Sequence, residues 1–223
     1  MKKKLMYLTM AICMVLAASS VTTVDVQAAN NTKLMTNYLK AYKAKKYSKA
    51  KSYLQRMTKT DRDTSLKKMS KKQKAAYKKA VQKYDTRTSS SSYSDPYIWG
   101  YYLADLDHDK KAELLIKYGT CEADVRTFVY TFKKGKAKLV QTMFSSHTGY
   151  YAYPGKGVVL VWAHMGYCNV SVLTMKGTKL STTSYGGQNV EKTGGEYVLP
   201  GNYLKSHYKY ADRRYTVDYS DLE

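Results

Sequence analysis

The sequence predicts an α+β protein, with amphipathic helices first and a mainly antiparallel β-sheet after them. Three observations carry this reading. Residues 30–86 contain neither glycine nor proline and repeat apolar side chains at helical spacing. Residues 97–223 alternate apolar and polar side chains in short runs divided by glycine-bearing turns. At the start of that second part, Asp105-Leu106-Asp107-His108-Asp109-Lys110-Lys111-Ala112-Glu113 sets carboxylates at alternate positions between two apolar runs.

The chain opens with Met1-Lys2-Lys3-Lys4, then an apolar run from Leu5 to Ala18, then the small-residue end Val26-Gln27-Ala28. A positive start, a short apolar stretch and a cleavage site define a secretory signal peptide, so residues 1–28 are predicted to be removed and the protein exported. The run is shorter than the ~20 residues a membrane helix needs. No later stretch is apolar enough to span a bilayer, so no transmembrane anchor is predicted.

Residues 29–86 read as a basic helical region. Leu34, Tyr38, Leu39 and Tyr42 mark a helix over 32–44, and Ala50, Tyr53, Leu54 and Met57 mark one over 47–58. Ala76, Tyr77, Ala80, Val81 and Tyr84 mark a third over 70–84, opened by the capping pair Ser70 and Gln73. At this spacing the tyrosines are core residues. Interleaved with lysine, they could instead stack on sugar rings or bases. The polar stretch 87–96, serine-rich and closed by Pro96, reads as a linker.

Residues 97–223 read as the antiparallel β-rich domain. Strands are predicted near 99–104, 113–118, 126–132, 137–143, 157–163, 169–175 and 178–183. Lys134-Gly135 and Gly177-Thr178 supply tight hairpin turns. Seven such strands suit one curled sheet or two small packed sheets. The tyrosine-rich tail from Val198 onward suggests one helix and one strand.

Alternating oxygen donors in a tight loop suit a hard cation, for which calcium is the candidate cofactor; the competing reading is a degenerate turn whose aspartates cap backbone amides in the manner of Asx-turns. Asp105, Asp107 and Asp109 would give the first three ligands, the Lys111 carbonyl the fourth, and Glu113, at position nine, would close the site. An EF-hand needs its bidentate glutamate at position twelve, which here is Ile116. The flanks are strands, so the site is a strand–loop–strand one.

The stretch from Tyr102 to Ile116 is similar to the short calcium loops of integrin-type repeats. More closely, it resembles an uncharacterised family of secreted Gram-positive proteins that carry D-I-D-G-D-G-x-x-E-L between two strands. Val129-Tyr130-Thr131-Phe132-Lys133-Lys134-Gly135-Lys136 resembles that family's hairpin, and His164-Met165-Gly166-Tyr167 its short H-M-G-Y run. The resemblance covers residues 70–183 and implies fold and export but no reaction. His108 and Lys110 stand where the family has glycines. A left-handed backbone at such a position costs a non-glycine residue about 1 kcal/mol.

Other residues bound the function. Cys121 and Cys168 remain after signal cleavage; an oxidising compartment favours a disulfide between them, the alternative being two separate buried thiols. His147 and His164, with Cys168 or Asp124 nearby, could act as acid and base of a cell-envelope hydrolase, in which Cys168 would be the nucleophile. Removing residues 1–28 takes the formal net charge from +21 to about +19. Such a surplus favours anionic partners, and outside the cell these are cell-wall polymers or other polyanions. No nucleic-acid motif occurs, and export argues against a dedicated nucleic-acid ligand. The expectation is an extracellular, non-catalytic protein, secreted or loosely wall-associated, with a degenerate calcium-type loop and a basic surface for polyanions. The hydrolase and a carbohydrate- or host-binding module using exposed tyrosines are the competing readings.

Overall fold

The computed structural model describes residues 26–27, 29–88, 90–92, 94–193, 195–201, 203–211 and 214–223. Apart from Val26 and Gln27, the predicted signal peptide lies outside the described residues. Three helices precede the strands: α1 over 29–43, α2 (Tyr47–Gln55) and α3 (Lys71–Gln82). Ten strands follow: β1 (Tyr97–Ala104), β2 (Glu113–Gly119), β3 (Arg126–Lys133), β4 (Lys136–Phe144), β5 (Thr148–Ala152), β6 (Val158–His164), β7 (Tyr167–Lys176), β8 (Lys179–Asn189), β9 (Tyr208–Ala211) and β10 (Arg214–Val217). Within each sheet, strands adjacent in sequence pair antiparallel, giving one sheet β1-β2-β3-β4, a second β5-β6-β7-β8, and the hairpin β9-β10.

The fold stacks as helix, sheet, sheet, helix, and strand alternation assigns the layers. On β2, Leu114 and Ile116 face α3 and pack with Tyr77, Ala80 and Val81, while Leu115 faces the second sheet. On β6, Val158 and Leu160 meet the first sheet, while Val159 and Val161 meet α1 and α2. Central strands covered on both faces read as apolar runs without alternation. That same coverage explains why β5, Thr-Gly-Tyr-Tyr-Ala, gives no strand pattern in the sequence: Tyr150 and Ala152 face one core, Tyr151 the other. The tail forms the β9-β10 hairpin and a 3-10 turn at Ser220–Leu222 where a helix and a strand are expected.

The helical tyrosines are core. Tyr38, Tyr42 and Tyr77 are fully buried, and their hydroxyls are satisfied inside, as a buried tyrosine requires. Tyr38 donates to the Val198 carbonyl at 2.9 Å and Tyr77 to the Ala112 carbonyl at 2.6 Å. Ser70 caps α3 by accepting from the Gln73 amide at 3.1 Å. The Gln73 side chain does not close the capping box; it donates to the Ala112 carbonyl at 3.1 Å and so holds the end of the Asp105 loop.

The two cysteines are free thiols, Cys121 exposed and Cys168 buried, in place of the expected disulfide. Cys121 lies in the turn between β2 and β3. Cys168 points from β7 into the α1 core, where its sulfur is 3.2 Å from the Tyr42 hydroxyl.

Candidate metal centre

The Asp105 loop joins β1 to β2, whose ladder closes at Ala104 opposite Glu113. Its alternate residues divide the work. Leu106 and Ala112 are buried and anchor the loop in two cores, while Asp105, Asp107 and Asp109 turn to a common centre. One carboxylate oxygen from each aspartate lies within 4.8 Å of the others. The three aspartates could hold a metal ion. His108 and Lys110 adopt φ of 68° and 65°. The loop thus keeps the left-handed positions four and six without glycine, at about 1 kcal/mol each.

Hydrogen bonds within the loop hold this shape. The Asp107 carboxylate accepts from the Asp109 amide at 3.3 Å, and the Asp109 carboxylate from the Lys111 amide at 2.7 Å. Asp105 accepts from the Lys110 amide at 3.1 Å through Oδ2. Its other oxygen, Oδ1, is buried and meets no donor at good hydrogen-bond geometry among the described residues, and Asp105 as a whole is 0% exposed. A buried acceptor left unpaired costs about 1–3 kcal/mol.

Surrounding elements pin the loop from three sides. The Asp105 amide donates to Asp63 Oδ2 at 3.0 Å, and the Lys67 amide to the Lys110 carbonyl at 2.8 Å. The Met175 amide of β7 donates to the Leu106 carbonyl at 2.7 Å. Asp63 escapes sequence reasoning because it lies 42 residues from its partner. Its one local signal is Asp63-x-Ser65, an Asx-type turn in which Oδ1 accepts from the Ser65 amide at 3.0 Å.

The charges of the loop are perturbed mostly in one direction. Burial raises the Asp105 carboxyl above its ordinary range, and the neighbouring Asp63 and Asp107 add to this against the backbone amides of Lys110 and His108. Burial and Asp109 likewise raise Asp107. Asp109 goes the other way: burial pushes it up, but the hydrogen bonds and charge of Lys111 together hold it down. Lys111 Nζ sits 2.5 Å from Asp109 Oδ2, so an exposed ammonium occupies one edge of the cluster. Glu113 is pushed up to about 8 by burial, with the three aspartate charges adding and the Leu106 amide opposing. Its oxygens engage the Leu106 amide at 2.9 Å and the Thr131 hydroxyl at 3.3 Å, so Glu113 braces the loop from behind.

The second candidate group is only partly assembled. His147 and His164 stack with ring centroids 4.1 Å apart, and Glu122 accepts from the His147 amide at 2.8 Å. Cys168 lies on the opposite face of the sheet, with Ala163, against α1, and burial raises its thiol pKa. Asp124 is engaged locally, accepting from the Thr120 and Cys121 amides at 2.9 and 3.0 Å. No helix among the described residues is long and apolar enough to cross a membrane. No known family model matches the chain, and no curated protein or solved structure matches it significantly.

Proposed function

We propose that this is an exported, non-catalytic protein that associates with polyanions at a cell surface, its sandwich stiffened by calcium in the Asp105 loop. The observation that carries the polyanion reading is the unneutralised charge. Ion pairs among the described residues engage Lys51, Lys78, Lys111, Lys205 and Arg62, a small part of the basic side chains that follow residue 28. A surplus of this kind attracts anions through a field that salt screens.

Calcium suits the loop because its donors are all hard oxygens. Two oxygens on one calcium, each about 2.4 Å away, stand at most about 4.8 Å apart, and the three aspartates meet that limit. Asp105 Oδ1, which meets no hydrogen-bond donor at good geometry among the described residues, would be available as a ligand. Lys111 would swing off Asp109, at little cost for a side chain 65% exposed. The separation of Cys168 from the two histidines supports the non-catalytic reading over the hydrolase.

The test is retention on immobilised poly(glycerol phosphate) as salt rises from about 50 to about 200 mM, a range over which charge-driven binding collapses. Binding that ignores salt would count against this function. One observation favours a carbohydrate-binding reading as second: Trp162 and Tyr167 are exposed with ring centroids 6.2 Å apart. Salt-insensitive binding, competed by cell-wall oligosaccharide and lost in Trp162→Ala, would support it instead.

A further inference from the structure

On the surface of α3, lysines rim a groove. Gln73, Tyr77, Ala80 and Val81 turn one face of the helix into the core. The neighbouring face carries Lys72, Ala75, Ala76, Lys79 and Lys83, residues at spacings of three, four and seven that stack on one side. Opposite runs the turn between β3 and β4, with Gly135, Lys136 and Ala137. These residues line a groove of about 510 Å³. Its length along α3, the eleven residue-to-residue rises from Lys72 to Lys83, is about 16 Å.

Two sequence details open this groove. Alanine at 75, 76 and 137 leaves the floor low and apolar, where larger side chains would fill it. Gly135, at φ 77°, lets the hairpin tip reach the helix. A Cβ there would stand 2.7 Å from Lys72 Cε. The hairpin therefore closes one end of the groove against the Lys72 stem. Lys72, Lys79, Lys83 and Lys136 are exposed, and none of them belongs to an ion pair among the described residues.

We propose that this groove is the seat of the polyanion, and that its ligand is a polyol-phosphate chain, the cationic rim holding phosphodiesters and the alanine floor accepting the carbon segments between them. The proposal rests on the polyanion reading above. Phosphodiester charge could also come from single-stranded nucleic acid, but sequence-tolerant binding of that class relies on aromatic platforms for the bases. The groove is lined by lysine, alanine and glycine alone. A chain without rings fits such walls, and a base does not.

Three variants of the full protein test this against poly(glycerol phosphate), a dT oligomer and phosphatidylglycerol vesicles. Lys72→Gln/Lys79→Gln/Lys83→Gln removes the rim while keeping helix propensity. Lys40→Gln/Lys43→Gln/Lys49→Gln removes the same charge from exposed positions of α1 and α2. Ala75→Gln/Ala76→Gln fills the groove without changing charge. Melting temperature verifies that each is folded. The expected result is at least a tenfold loss of poly(glycerol phosphate) affinity for the first variant. Its slope of log affinity against log salt should drop by about 2, from about 0.7 per lost phosphate contact. The second should lose less than threefold, and the groove-filled variant several-fold. Equal losses in the two lysine variants, with none on filling, would replace the groove by a diffuse field and leave the polyanion reading intact. Tighter, groove-dependent binding of the dT oligomer or of the vesicles would overturn the assigned ligand. Failure of the unmodified protein to bind any of the three near 50 mM salt would end the polyanion reading itself.

Discussion

Replacing Asp105 by asparagine is expected to invert the stability order of two proteins when calcium is added. Without calcium the wild-type loop holds three carboxylates around one centre, and Asp105 is the fully buried one, with Oδ1 meeting no donor at good geometry among the described residues. The asparagine amide keeps an acceptor for the Lys110 amide and removes the desolvated charge, so the variant should match or exceed wild type in chelator. Extracellular calcium modules bind with Kd of about 10⁻⁴–10⁻³ M. At about 5 mM calcium such a site contributes about 1–2.3 kcal/mol through RT ln(1 + [L]/Kd). For a chain of this size each kcal/mol moves Tm by about 2–4 °C, so wild type should gain about 2–9 °C and Asp105→Asn essentially nothing. Differential scanning calorimetry with calcium and with chelator reads both numbers. A wild type that calcium does not move would refute the metal reading. An Asp105→Asn that loses several degrees in chelator would show the carboxylate to be a structural anchor instead.

Three further outcomes are expected. His207 is 2% exposed, stacks on Tyr101 at 4.3 Å, and has Nε2 2.9 Å from Asp221. Burial lowers its pKa below the ordinary 6.5 in spite of Asp221. The unfolded chain therefore takes up this proton first, and the His207 contribution to stability should fall as pH drops below 6.5 toward the lowered folded value. Glu113, pushed up to about 8, acts in the opposite direction as pH falls from 8, so His207 is read from the difference between wild type and His207→Gln. Wild type should lose Tm relative to the variant on acidification, and a difference that stayed flat or grew in favour of wild type would contradict the assignment. Tyr77→Phe and Gln73→Ala should each cost about 1 kcal/mol in urea unfolding, and together more than the sum. Either donor alone keeps the Ala112 carbonyl satisfied; strict additivity would mean that the carbonyl is not shared. Iodoacetamide should label Cys121 quickly in the native protein and Cys168 only after unfolding, and a Cys121–Cys168 crosslinked peptide in the mass spectrum would refute the free-thiol arrangement.

The helices and most strands were legible because their periodicity is set by faces that pack. Leu34, Tyr38, Leu39 and Tyr42 repeat at helical spacing, and the stripe of Tyr38, Leu39 and Tyr42 lies on the second sheet. What escaped was decided by pairing rather than pattern. In β1 the register shifts between Ile98 and Gly100, so Ile98 and Tyr101 share a core although their spacing is odd. The disulfide expectation came from compartment alone, and compartment says nothing of which way a strand residue points. Cys168 alternates toward α1, where Tyr42 already meets it.

The Asp105 loop marks the boundary most clearly. Its alternation predicted converging carboxylates, and they converge. His108 and Lys110 looked like departures that would spoil the turn, yet both take up the left-handed backbone, at φ 68° and 65°. The stabilisation for that comes from long-range contacts that a local motif cannot display. Asp63 holds the Asp105 amide, Lys67 the Lys110 carbonyl, Met175 the Leu106 carbonyl, and Gln73 with Tyr77 the Ala112 carbonyl. At about 1 kcal/mol net per buried hydrogen bond, these five exceed the roughly 2 kcal/mol of backbone strain at the two positions. A loop held from outside does not need glycine to form. The same contacts tie the candidate ion site to α3, the helix whose outer face carries the lysine groove.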